Sequence, residues 1–319
     1  MVCRRRVYLW LGLLAILGSS SPQGSAVPVK SGKPGKKGPV RVLLVASGPG
    51  REYQFLKNLF SREAREKRME VGVFLQGSKK EDIDPDEKTP QVWMLDRFPG
   101  LRGGSNPLQK PYALLEYDLV IACDPDWMAL PLAARKLLED WVKNGGGNLI
   151  LIAGPVNTRQ LSQKVNRAAL APIRCLYPVT LEADAPRGKF PKRVTPNVLH
   201  FCGANEKMRF LKLDEKGHIP LAGWEPFFYG LKGGARGKPR AVRGFYSVQP
   251  VKAVKGTATV IATLGEEKKG TPFLITMPLG VGTVVYAGSG ELWRLRTYRA
   301  DYYNRFWLEL VRYLVPARK

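Results

Sequence analysis

The stretch NGGGNLILIAGPVN, residues 144–157, constrains the fold more than any other part of the sequence. Three glycines precede four branched apolar residues, Leu149–Ile152, and the run ends in the small-residue turn at 153–155. An apolar run without polar alternation is typical of a strand buried on both faces of a parallel sheet. Ligands bind at the carboxyl ends of such strands, yet no serine, cysteine or histidine stands in this turn.

The rest of the chain alternates strand patterns with helix patterns. Strands are predicted in VRVLLVA, MEVGVFLQ, YDLVIACD, GTATVIATL, PFLITM and GTVVYAG, and helices in REYQFLKNLFSREAREK, at 131–143 and in ADYYNRFWLELVRYLV. The pieces PFLITM and GTVVYAG are separated only by PLGVG, which predicts a β-hairpin. Helical crossovers join parallel neighbours, so the order predicts an α/β fold with a mostly parallel sheet covered on both faces.

The first 39 residues are predicted to lie outside this domain. Three arginines at 4–6 precede the apolar run VYLWLGLLAILG, and a small-residue site ends at Ala26. This order is typical of a secretory signal peptide, residues 1–26, because the run is shorter than the roughly 20 residues of a membrane-spanning helix. An uncleaved anchor is the alternative, and it would be the protein's only membrane contact. Residues 27–39 form a basic Gly/Pro linker.

The formal net charge of +24 is large and is spread along the chain. One interpretation is attraction to an anionic partner, namely nucleic acid, an acidic glycan or a membrane surface; the other is simply a basic, solvated surface. No nucleic-acid-binding motif accompanies the charge, so no specific nucleic-acid partner is expected.

Cysteine and histidine are too scarce for most metal or triad chemistry. Only two histidines exist, His200 and His218, and neither has a partner at metal-ligand spacing. The three cysteines beyond the signal segment are widely spaced, although one pair can form a disulfide after export. The sequence therefore predicts neither a metal nor a cofactor.

Several motifs together resemble one known family. REYQFLKNL, the glycine-led strand NGGGNLILIAGP and the tail GSGELWRLRTYRADYYNRFW are similar to the class I glutamine amidotransferase-like domain, in the version found in bacterial cell-envelope proteins. The resemblance covers roughly residues 40–314. It implies a flavodoxin-like three-layer α/β domain over 40–317, with a loop-rich insertion around 174–243 that matches loosely.

The sequence departs from that family where the chemistry should be. A glutamine amidotransferase carries a cysteine in a strand-to-helix elbow, here expected at 153–155, and later a histidine and a glutamate. The thiol is absent from 153–155, and neither histidine follows a strand end that would present it to the elbow. Cys123 ends a strand, but Asp124 and Asp126 beside it favour an inert thiol over a nucleophile. Catalytic residues are therefore not predicted.

The candidate ligand crevice lies where the parallel strands end. The glycine turn at 47–50 opens a helix and is either an anion cradle or only a chain reversal. Trp293 and its arginine neighbours either contact a ligand or close the core and pair with acids. The predicted rim consists of Ser47, Arg51, Asp124, Asn157, Glu291, Trp293 and Arg294.

Two functions compete, and a third, a basic nucleic-acid binder, would require the positive charge to gather on one face of the protein. The first is an exported, non-catalytic amidotransferase-like module, periplasmic or in the cell envelope, that binds an envelope protein or an anionic or glycan ligand. The second is a hydrolase acting on an amide or glycan through Asp124 or Glu291. Acid/base catalysis needs two free carboxylates facing one pocket, so carboxylates held by Arg51 or Arg294 favour the module.

Export predicts a defined amino terminus. N-terminal sequencing of the mature protein should begin near Val27, because the basic residues, the short apolar run and the small-residue site occur together. Recovery of an intact Met1 form from the cytosol would contradict the prediction.

Overall fold

A nine-stranded sheet runs through the part of the chain that the computed structural model describes, namely residues 38–78, 91–102, 107–182, 195–230, 243–266 and 269–316. The predicted signal peptide and residues 27–37 of the linker lie outside these ranges. Within them, no helix is both long enough and apolar enough to cross a membrane.

The strands of this sheet are β1 Val40–Ala46, β2 Met69–Leu75, β3 Val92–Met94, β4 Leu119–Cys123, β5 Asn148–Ile152, β7 Leu199–Phe201, β9 Thr259–Leu264, β10 Thr271–Leu279 and β11 Gly282–Ala287. They lie in the order β3-β2-β1-β4-β5-β11-β10-β9-β7. The first six of these strands are parallel, and the last three continue as antiparallel pairs. The predicted α/β class, the mostly parallel sheet and the hairpin β10–β11 are thus confirmed. A separate pair joins β6 Val179–Leu181 to β8 Val251–Val254.

Helices cover both faces of the sheet and give three layers. Alternate residues of β1 enter opposite cores: Val42 and Leu44 pack with one, Leu43 and Val45 with the other. The first core holds α1 Arg51–Arg65, α4 Trp224–Tyr229, α5 Arg294–Tyr298 and α6 Ala300–Leu314. The second core holds α2 Leu132–Lys143 and α3 Ala171–Leu176.

The segment predicted as a loop-rich insertion contributes directly to both sheets and to the first core. Of its described parts, β7 closes the edge of the main sheet and β6 pairs with β8. The stretch GWEPFFYGL contains α4, whose Trp224 ring stacks on Phe228 at a centroid distance of 5.8 Å. Residues 183–194 and 231–242 of the segment lie outside the described ranges.

Gly147, from the triple glycine, lets helix α2 approach strand β5 closely. A Cβ added at Gly147 would overlap the indole ring of Trp141, which is 1% exposed. The ring lies directly against the backbone here, so the position before β5 requires a residue without a side chain.

Gly147→Ala should therefore destabilise the protein by about 1–3 kcal/mol, since a buried indole cannot move away without disturbing the core. Urea unfolding of the variant measures this. Gly256→Ala is the matched control, because a Cβ there meets nothing within 4 Å; a loss of similar size in both variants would contradict the explanation.

Candidate functional site

The carboxyl ends of four neighbouring strands bring distant loops together. Strands β1, β4, β5 and β11 end at Ala46, Cys123, Ile152 and Ala287, and the seven predicted rim residues lie in or next to the loops that follow. We call this region the carboxyl edge. The structure separates the seven residues into three groups, described in turn.

The first group is Asp124 with Asn157. The Asp124 carboxylate accepts hydrogen bonds from three successive backbone amides, those of Val156 (3.0 Å), Asn157 (3.1 Å) and Thr158 (2.7 Å). It also accepts one from the Thr158 hydroxyl at 2.8 Å. In return, the Asn157 side-chain amide donates to the Asp124 backbone carbonyl at 3.0 Å. Asp124 thus ties the loop after β5 to the end of β4.

Two features of Asp124 follow from this arrangement. Its backbone has a φ of 42°, a left-handed conformation that aspartate tolerates better than most residues. Burial raises the pKa of its carboxyl group, while the hydrogen bonds from Thr158, Val156 and Asn157 lower it. The acid accepts at least four hydrogen bonds from the fold, so little of its capacity is left for a substrate.

The same carboxylate fills the elbow position at 153–155. A Cβ placed on Gly154 would overlap the Asp124 side chain, and the Gly154 amide donates to the Thr158 hydroxyl at 2.9 Å. A nucleophilic side chain at 154 is therefore sterically incompatible with this loop.

The second group contains Arg51, Glu291, Trp293 and Arg294. The Glu291 carboxylate accepts hydrogen bonds from the Tyr246 amide (2.6 Å) and the Ser247 hydroxyl (2.8 Å). The Arg294 Nε donates to it at 3.1 Å. The second candidate acid is thus also held by partners from its own fold.

Trp293 contacts two arginines of this group. The guanidinium carbons of Arg51 and Arg294 both lie 4.6 Å from the centre of the indole ring. Arg294 additionally covers the Tyr246 ring at 4.5 Å. The start of α1 and the turn after β11 therefore meet, although 241 residues separate Glu52 from Trp293.

Glu52 lies beneath this contact and was not predicted as a site residue. Its carboxyl group accepts hydrogen bonds from the Trp293 amide (2.7 Å) and the Tyr303 hydroxyl (2.9 Å). The residue is 4% exposed, and burial raises its pKa from 4.5 to about 7 despite these hydrogen bonds. Glu52 connects α1 with the loop after β11 and with α6. One sequence signal was available: Glu52 lies one helical turn before Leu56, on the apolar face of α1.

The third group is Ser47 alone, in the wall of a cleft of about 550 Å³. The cleft opens at the ends of β1, β2 and β3, beside the first turns of α1. Its walls offer hydroxyl groups from Ser47 and Ser78, the amide of Gln54 and the ammonium of Lys57, together with apolar Leu75 and Met94. Sequence analysis missed Lys57 and Gln54 because they look like ordinary polar positions of a helix.

The remaining groups considered for chemistry are the cysteines and the possible metal ligands. Cys123 is 8% exposed, and burial, followed by the nearby Glu52 and Asp124 carboxylates, raises the pKa of its thiol well above the usual value. Among the described residues, Cys123, Cys175 and Cys202 are all free thiols, and no group of three or more potential ligands could hold a metal ion.

Comparison with known proteins gives only weak structural likenesses. No family model matches the sequence, and no curated protein matches it. Among solved structures, the chain is similar to the cytoplasmic protein STM1381 from Salmonella typhimurium LT2, with 15% identity and a TM-score of 0.47; the match covers 86% of this chain and 100% of that one.

Two further structures show the same level of likeness. A putative ThuA-like protein from Parabacteroides merdae ATCC 43184 has 12% identity and a TM-score of 0.39, over 88% of this chain and 93% of its own. A cold-adapted β-galactosidase from Rahnella sp. R3 has 12% identity and a TM-score of 0.38 over 88% of this chain. The chain spans only 32% of the length of that β-galactosidase.

The pKa of Glu52 predicts a specific pH dependence of stability. Between pH 4.5 and about 7, the folded carboxyl group keeps a proton that the unfolded chain has released. Stability therefore falls as the pH rises through this window, by up to about 3 kcal/mol in total.

Glu52→Gln should remove this loss because the neutral amide has no proton to release. The difference in unfolding free energy between variant and wild type should shift in favour of the variant by up to about 3 kcal/mol from pH 4.5 to pH 8. Glu225→Gln, at an exposed acid in the first turn of α4, is the control. A pH-independent difference for Glu52→Gln would contradict the assignment.

The pair Arg294–Glu291 predicts a modest coupling. Both side chains are partly exposed, at 28% and 16%, and Glu291 retains two other donors without Arg294. Arg294→Ala should thus cost only about 1 kcal/mol, including its ring contacts. A double-mutant cycle with Glu291→Gln measures the coupling, and a coupling near zero would show that the pair is incidental.

Proposed function

We propose that this chain is an exported, non-catalytic module of the glutamine amidotransferase-like type that binds a ligand at its carboxyl edge, in the bacterial cell envelope. The observation that carries the proposal is that hydrogen bonds from the fold already occupy the carboxylates of the two candidate acids, Asp124 and Glu291. Asp124 accepts three backbone amides and a hydroxyl, and Glu291 accepts an amide, a hydroxyl and a guanidinium. A general acid or base must exchange protons with a substrate, and neither carboxylate is free to do so.

The cleft beside Ser47 supports the proposed ligand binding. Its volume of about 550 Å³ is within the range of small-molecule sites. It lies outside the carboxyl ends of parallel strands, which is where open α/β sheets bind ligands. Its mixture of hydroxyl, amide and ammonium groups suits a polar ligand that is neutral or anionic. Export rests on the amino-terminal pattern, and the envelope location on the family resemblance.

Absence of catalysis is tested with defined substrates. Ammonia release from glutamine, and release of chromophore from nitroanilides and nitrophenyl glycosides, should stay at the background rate for the wild type. Cys123→Ser and Glu291→Gln should change nothing in these assays. Asp124→Asn should instead destabilise the fold by about 1–3 kcal/mol, since asparagine tolerates the backbone conformation but offers one acceptor oxygen in place of two.

A measurable turnover that disappears in a folded Asp124→Asn or Glu291→Gln protein would establish the hydrolase instead. Circular dichroism and urea unfolding of each variant separate a lost reaction from a lost fold.

Binding is tested with peptidoglycan fragments released by lysozyme. A ligand that binds only the folded state raises the melting temperature, and the rise grows with the ratio of ligand concentration to Kd. The fragments should raise it for the wild type and less for Lys57→Ala, whose side chain lines the cleft. Lys136→Ala is the matched control, an exposed helical lysine on α2. Unchanged melting temperatures throughout would contradict binding of this envelope material.

A further inference from the structure

Arginine side chains cover aromatic rings around the helix α5. Arg51, Arg243, Arg294, Arg296 and Arg299 each place a guanidinium carbon 4.5–4.9 Å from a ring centre, on Trp293, Tyr298, Tyr246, Phe55 and Tyr302. We call these five arginines and the rings beneath them the arginine surface. Contacts of this type occur about once per 70–80 residues in proteins, so their concentration around a five-residue helix needs a reason.

The surface is continuous, because its members are linked through shared rings and neighbouring positions. Arg51 and Arg294 share Trp293, and Arg294 also covers Tyr246. Tyr246 and Arg243 lie close together in sequence on the same loop, and Arg243 covers Tyr298 of α5. The ring under Arg296, Phe55, lies one turn after Arg51 on α1.

Positive charge exceeds negative charge on this surface. Arg294 pairs with Glu291 and Arg299 pairs with Asp301. Within the described part of the chain, no acid forms an ion pair with Arg51, Arg243 or Arg296. A guanidinium that lies over an aromatic ring still has N–H groups that can fork onto carboxylates or sulfates.

The occupied rings indicate which kind of anion suits the surface. Single-stranded nucleic acids bind by stacking bases on free aromatic faces, and here guanidinium groups already cover those faces. Duplex recognition places a helix or strand pair in a groove, and α5 has only five residues. Insertion into a membrane surface requires exposed apolar side chains. The exposed large apolar residues within the described ranges all lie outside this surface: Leu101, Met128, Leu132, Val156, Val165, Ile219 and Val281.

We propose that the arginine surface binds an acidic polysaccharide through bidentate contacts from guanidinium groups that lie over aromatic rings. This proposal names a ligand class for the carboxyl edge and so rests on the binding function proposed above. A polymer bearing one carboxylate or sulfate per sugar presents spaced anions along a flexible chain. Arg51, Arg243 and Arg296 supply the three guanidinium groups that such anions can reach without displacing an acid of the described fold.

The test measures equilibrium binding of the full chain to carboxymethyl-dextran, with unmodified dextran as the uncharged control polymer. Dextran sulfate in a separate arm separates sulfate from carboxylate recognition. The triple variant Arg51→Gln, Arg243→Gln, Arg296→Gln should weaken binding by about tenfold or more. The matched triple variant Arg62→Gln, Arg65→Gln, Arg167→Gln removes the same charge from exposed positions elsewhere and should weaken it by less than about twofold.

Equal losses in the two triple variants would overturn the proposal, because net charge alone would then explain the attraction. Tighter binding to duplex DNA than to either anionic dextran at the same ionic strength would also overturn it, in favour of a nucleic-acid partner. Melting curves confirm that both triple variants are folded. The peptidoglycan-fragment shift and its dependence on Lys57 do not involve these arginines, so failure of the polysaccharide proposal is distinguishable from failure of the binding function itself.

Discussion

Carboxylates that accept backbone amides hold the carboxyl edge of this protein together. Asp124 accepts the amides of 156–158, Glu291 accepts that of Tyr246, and Glu52 accepts that of Trp293. The amides of 156–158 and Trp293 lie in loops after strands of the main sheet, and that of Tyr246 lies in the segment before β8. Leaving such amides unpaired in partly buried positions would cost free energy. Each acid pairs such an amide with a segment distant in sequence. The positions of the loops, the rim residues and helix α5 all depend on these contacts.

This use of the acids leaves no space for a nucleophilic side chain in the turn after β5. The Asp124 side chain fills the space that a side chain at 154 would need. Burial raises the pKa of both Asp124 and Glu52, so desolvation outweighs the hydrogen bonds at each carboxyl group. Raised values of this kind also occur in catalytic acids, but here the geometry around the carboxyl groups is structural. The cleft beside Ser47 and the arginine surface carry the polar groups to which we propose that ligands bind.

Local sequence pattern predicts the fold well and the site only partly. Apolar runs and helical stripes gave β1, β4, β5, α1, α2 and α6, because those elements carry enough residues to show their period. The three-residue strand β3 and the helix in GWEPFFYGL have too few residues to do so. Arg51 and Trp293 were placed on one rim from strand order alone. Glu52 was missed because its partners, Trp293 and Tyr303, lie 241 and 251 residues away. The burial of Glu52 depends on these distant residues, and its one local signal is its position on the apolar face of α1.

Hydrogen exchange at the backbone amides of 156–158 tests the central claim most directly. These amides have no strand partner, and Val156 is 63% exposed, although Asn157 and Thr158 are buried. If the Asp124 carboxylate holds them, their exchange should be slowed strongly relative to unstructured peptides, and Asp124→Asn should accelerate it while core strand amides stay protected. Exchange at the unprotected rate in the wild type would mean that Asp124 is free, and the carboxyl edge would again be a candidate for catalysis.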